Sequence, residues 1–253
     1  MISELPLFVF TTLAGLAAGA YFVNAVFARK DKKDERPWLF SLICIVLLGV
    51  GLLGCLGHLG RPAMFLNALA NPASMISQEA YWSIAFGVVM VIDLVLCFAK
   101  GACPRALRIV GAIAAAGLMA VMGNAYFTGH GVVVWANWLT WPLYLVGDLA
   151  MGAALVAAFD AELTRKPAFG WTTVVLDVLF AATAVAEAVS FAGLGQNAVL
   201  FGVAAVLAAA GAIVAALGLK GRLPERTAAI ACCALMVIAV AAARYCFYAA
   251  SIL

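Results

Sequence analysis

Apolar residues run through the chain in eight stretches of about 20 to 24 positions, separated by short polar breaks: Leu5–Ala28, Trp38–Gly57, Ala80–Ala99, Leu107–Phe127, Trp141–Ala161, Thr172–Ala192, Ala198–Leu219 and Ala229–Ala250. None shows the period-two alternation of a half-buried strand, and all are rich in Ala, Leu, Val and Gly. A helix of about 20 residues is roughly 30 Å long, the thickness of the hydrocarbon layer of a bilayer. The pattern therefore predicts eight membrane-spanning helices rather than barrel strands. Gly15, Gly19, Gly111 and Gly211 fall inside these spans, where small residues let helices approach closely. Trp38, Trp82, Trp135, Trp138, Trp141 and Trp171 fall at span ends or in loops, as expected of aromatic belts at the two membrane–water interfaces.

Composition agrees. Of 253 residues, 67% are hydrophobic and only 11% are charged, less than half the charged share of ordinary soluble domains. So much apolar surface needs lipid as its solvent. Eight spans and short loops nearly exhaust the length, which predicts a single transmembrane anchor domain over residues 1–253 and no nucleic-acid partner. The first span has no basic residue before it and a basic run after it, at Arg29, Lys30, Lys32, Lys33 and Arg36, the order of an uncleaved span rather than a signal peptide.

Charge distribution sets the expected orientation. The loops after spans 1, 3, 5 and 7, with Arg108 just inside span 4, carry 13 of the 15 Lys and Arg residues; the opposite loops carry only Arg61, and Arg244 lies inside span 8. The positive-inside rule then predicts an all-α integral membrane protein, an eight-transmembrane-helix bundle with the N-terminus and C-terminus outside. Two outer loops are longer than a connection requires: residues 58–79, HLGRPAMFLNALANPASMISQE, and residues 128–140, TGHGVVVWANWLT. In the first, Pro62 is placed to start a short helix that ends near Asn71-Pro72.

Few residues can carry chemistry. His58 ends span 2, Arg61 follows it, and Glu79 stands at the outer entrance of span 3. Folded together, these three can bind a quinol hydroxyl: the imidazole accepts a proton near neutral pH and the carboxylate orients it or passes the proton on. The alternative is an interfacial histidine, a snorkelling arginine and a glutamate that serves its helix start. Asp148, Glu187 and Arg244 share a depth of about 8–10 Å from the outer side at 1.5 Å per residue. They form either a structural ion pair or the wall of a polar proton path, because a lone charge in hydrocarbon is costly. Asp93 and Asp177 lie nearer the inner side and are expected to reach cytoplasmic water.

The only histidines are His58 and His130, too few for two bis-histidine haems. The seven cysteines include no CxxC pair, so neither an iron–sulfur cluster nor a disulfide framework is expected in this protein. A small transporter with a charged intramembrane pocket and a haem-bearing anchor remain the other readings.

The segment GCLGHLGRPAMFLNALANPASMISQEAYW resembles the membrane anchor subunit of dimethyl sulfoxide reductase-type enzymes, through its His-Leu-Gly-x-Pro turn, its Phe-Leu-Asn-Ala-Leu stretch and its glutamate entering the next span. The stretch VVVWANWLTWPLYLVGDLAMGA and the closing ARYCFYA are similar to later parts of the same family, in the same order. The resemblance implies a haem-free anchor in the bacterial cytoplasmic membrane that binds menaquinol. It implies partners on the outer face: a ferredoxin-like four-cluster iron–sulfur subunit and a molybdopterin catalytic subunit. It also implies that His58 and Glu79 are the quinol-site residues; Arg61, Trp135 and Asn137 are the expected further contacts.

Overall fold

The computed structural model describes residues 4–27, 36–58, 62–129 and 131–250, with the backbone alone at 58, 62, 63, 65 and 68. The described residues form eight long α-helices: α1 (Leu5–Phe27), α2 (Trp38–His58), α3 (Met75–Lys100), α4 (Arg105–Phe127), α5 (Thr140–Phe159), α6 (Pro167–Gly193), α7 (Val199–Leu219) and α8 (Glu225–Tyr248). All eight are long and apolar enough to cross a membrane. Two 3-10 helices, Pro62–Leu69 and Ala161–Arg165, lie in the loops.

Several helices start earlier than the apolar stretches do. α3 begins at Met75 rather than Ala80, α6 at Pro167 rather than Thr172, and α8 at Glu225 rather than Ala229. Apolarity marks only the lipid-embedded part of a helix, whereas backbone hydrogen bonding continues into polar residues. Pro167 occupies the first turn of α6, where its missing N–H costs nothing. Gly101 closes α3 in the left-handed region at φ +71°, and its N–H donates to the Cys97 carbonyl at 3.0 Å.

The most enclosed helices are α1 and α5. α1 packs on α2, α4, α5 and α8, and α5 packs on α1, α4, α6 and α8. Their approach depends on glycine. A Cβ on Gly15 would collide with the Asp148 carboxylate, one on Gly19 with the Asp148 carbonyl, and one on Gly152 with the Gly19 backbone. Gly111 accommodates the Tyr21 ring, and Gly211 lies under Met236. Outward-facing Leu53, Phe98, Val189 and Val206 are exposed, as lipid-facing residues should be.

Two expectations fail here. Asp93 and Asp177 do not reach water: both are buried. Asp93 accepts hydrogen bonds from the Tyr21 hydroxyl at 2.6 Å and the Cys97 thiol at 3.1 Å, and Asp177 receives the Cys232 thiol at 3.5 Å. Their depth was readable in the sequence, but not the helix face on which they lie. Trp82 lies inside α3, and its ring packs on Gly117 of α4.

Candidate functional site

A cavity of about 200 Å³ lies at the end of the bundle where α2 gives way to the 3-10 helix Pro62–Leu69. Phe10 of α1, Leu52, Cys55 and Leu56 of α2, and Leu69 enclose it from one side; Ile76, Glu79, Ala80, Ser83 and Ile84 of α3 form the opposite wall. The lining is apolar apart from Cys55, Glu79 and Ser83. Positions 76, 79, 80, 83 and 84 are the repeating contact face of a single helix, spaced by three and four.

Glu79 sits within the second turn of α3 rather than before it, 7% exposed, and its Oε1 has no hydrogen-bond partner among the described residues. A buried carboxyl oxygen without a partner is costly unless a proton, water or ligand answers it. His58 is the last residue of α2, one turn beyond the lining residue Cys55. Its side chain, together with Arg61 and His130, falls outside the described residues. The fold therefore brings Glu79 to the cavity and the His58 position to its rim.

The cavity lining does not include Trp135 or Asn137. The Trp135 indole N–H donates to the Phe247 carbonyl at 2.8 Å, and its ring stacks on Phe247 at 5.3 Å. Asn137 donates to the Val134 carbonyl at 2.6 Å and accepts the Leu139 N–H at 2.7 Å. The last carbonyls of a helix have no partner within it, so Trp135 serves the end of α8, and Asn137 holds its own loop in shape.

Deeper at the same end lies a buried polar layer. The Arg244 guanidinium hydrogen-bonds the Asp148 carboxylate and the Thr11 carbonyl, and both ionic side chains are 0% exposed. It also lies 4.6 Å from the centre of the Tyr144 ring. The Tyr144 and Tyr248 hydroxyls are 2.8 Å apart, and Tyr248 reaches Thr11 Oγ1 at 3.2 Å. These contacts join α1, α5 and α8. Glu187 is separate from the ion pair; it is fully buried, and the side chain of Asn137 is the polar group within its reach.

Sequence reasoning missed Ser83, which is 1% exposed on the cavity wall. The available signal was its place one turn beyond Glu79, hidden because a serine inside an apolar span usually satisfies itself.

Eight apolar helices, with a small cavity among α1, α2 and α3 at one end of the bundle and one carboxylate in its wall, define a multi-pass membrane protein. The chain belongs to the DMSO reductase anchor subunit (DmsC) family, whose model matches residues 1–251. It is 32% identical over 173 residues to the C chain of anaerobic dimethyl sulfoxide reductase from Haemophilus influenzae. That match covers 60% of the present sequence and 58% of the relative, so the similarity spans a little over half the length of the curated protein.

Proposed function

We propose that the protein is the quinol-oxidising membrane anchor of a molybdopterin oxidoreductase complex, binding menaquinol in the cavity between α2 and α3. The observation that carries this reading is the cavity itself: an apolar space of about 200 Å³ with the Glu79 carboxyl in its wall, its Oε1 without a partner among the described residues, and the His58 position at its rim. A quinol is an apolar ring with two hydroxyls, and its oxidation releases two electrons and two protons. His58 is the first proton acceptor, and Glu79 orients it or relays the proton outward. The electrons pass to an iron–sulfur subunit on the same end of the bundle and from there to a molybdopterin catalytic subunit. The family match and the relative's name support that assembly. The charges that would make a transporter pocket favour it less, since Arg244 and Asp148 are occupied by each other in packed surroundings.

In this reading the cavity end faces the outside of the bacterial cytoplasmic membrane, because the Lys- and Arg-rich loops are at the other end. Single cysteines placed in the 29–36 loop should resist an impermeant thiol reagent in intact cells, and cysteines at 131–138 should react. Labelling of the first loop in sealed cells would reverse the orientation.

The site is tested by Glu79→Gln in the assembled complex. Quinol-driven turnover should fall about a hundredfold or more, while an artificial electron donor that feeds the partner subunits directly still supports full activity. Undiminished quinol turnover with Gln at 79 removes Glu79 from the reaction.

A further inference from the structure

Serines and threonines in apolar helices usually donate to the carbonyl four residues back. Here Thr11 donates to Leu7 at 3.0 Å, Thr172 to Ala168 at 2.8 Å, Thr173 to Phe169 at 3.1 Å and Thr183 to Leu179 at 2.9 Å. Ser83 does not: its Oγ is buried without a hydrogen-bond partner among the described residues. Thr12 Oγ1 shares that condition, but Thr12 does not line the cavity and Ser83 does. A buried hydroxyl left unmatched on a cavity wall is a group whose partner is the cavity's occupant.

Its position narrows what that occupant is. Glu79 and Ser83 are four residues apart on α3, so they lie on one face with Cβ atoms about 5–6 Å apart. That is close to the separation of the two oxygens across a para-dihydroxy aromatic ring. Between them the wall is apolar: Ala80 on α3, with Leu52, Leu56 and Phe10 facing it. The cavity thus has two polar atoms without partners among the described residues, Glu79 Oε1 and Ser83 Oγ, on residues one helical turn apart, with apolar surface for the ring between them.

We infer that Ser83 is the second hydrogen-bonding contact of the quinol head group, which lies along α3 with one oxygen toward Glu79 and the His58 end and the other at Ser83, one turn deeper. The inference rests on the quinol-site reading above. The Ser83 hydroxyl accepts from the quinol O–H and donates to the carbonyl once the ring is oxidised, since a hydroxyl can do either. Serine is no base at neutral pH, so its part is to orient the ring and hold its deep oxygen. His58 takes the proton of the outer oxygen, and the proton of the deep oxygen leaves by cavity water to Glu79.

The probe is 2-methyl-1,4-naphthoquinone, titrated into the purified complex with binding and infrared carbonyl bands recorded together. Ser83→Ala should weaken binding about three- to tenfold, the effect of one neutral hydrogen bond, and shift one of the two carbonyl bands toward its free frequency. Ser83→Thr, which keeps the hydroxyl, should retain the wild-type band. If the wild type binds the probe and Ser83→Ala alters neither affinity nor bands, Ser83 is not a contact and the cavity reading stands without it. Weaker binding with both bands unchanged assigns Ser83 to packing and also overturns the inference. A wild type that does not bind the probe overturns the quinol site and this inference with it.

Discussion

Replacing Asp148 with alanine should lower the stability of the bundle by about 3–5 kcal/mol, because it leaves the Arg244 guanidinium as an unpaired charge in a dry interior. The geometry leaves little room for relief. Arg244 is 0% exposed, its remaining contacts are the Thr11 carbonyl and the face of Tyr144, and its Nε has no partner among the described residues. The pair joins α8 to α5, and the Thr11 contact adds α1, so the loss falls where three helices meet. The sign of the effect should depend on removing both charges or only one. A buried pair replaced by apolar residues of similar volume is often neutral in stability, so Asp148→Leu with Arg244→Met should recover most of what Asp148→Ala loses. Unfolding of the purified protein in mixed micelles measures both. A single mutant as stable as the wild type contradicts the account of the ion pair.

In the assembled complex, His58→Ala should reduce quinol-driven turnover by about 10²–10⁴-fold, the usual contribution of a positioned general base. His58 closes α2 one turn beyond Cys55 of the cavity wall, the one histidine that the described fold carries to the cavity rim. A small residue at a helix end costs little in packing, so the complex should assemble at full occupancy and remain active with artificial donors. Stability and catalysis are therefore separable: Asp148→Ala should lose folded protein, and His58→Ala should lose only the quinol reaction. Normal quinol kinetics in a fully occupied His58→Ala complex would remove the proposed proton acceptor.

The architecture was legible in the sequence because lipid imposes a simple rule: about 20 apolar residues for each crossing. All eight spans appear as helices, and the 3-10 helix from Pro62 begins where the proline was expected to start one. Spacing gave Arg244 two carboxylates to pair with, Asp148 and Glu187, and the structure pairs it with Asp148. Which carboxylate it would meet was not readable, since that depends on helix rotation and on Gly15 and Gly19, which let α5 approach α1. Helix rotation likewise hid the burial of Asp93 and Asp177. Spacing also did not show that Trp135 and Asn137 hydrogen-bond backbone groups of α8 and of their own loop. Glu79 was singled out in the sequence; its place inside α3, and with it the position of Ser83 on the same cavity wall, required the five extra residues, Met75 to Glu79, by which the helix outruns its apolar stretch.

The central claim is that the cavity between α2 and α3 holds the quinol. An azido-naphthoquinone photolinked to the assembled complex in its native membrane, followed by peptide mapping, tests it most directly. The account predicts labelling on α3 between Ile76 and Ile84 or on α2 between Leu52 and Leu56, suppressed by excess unlabelled 2-methyl-1,4-naphthoquinone. Competable label confined to α6, α7 or α8, with none on α2 or α3, would contradict it.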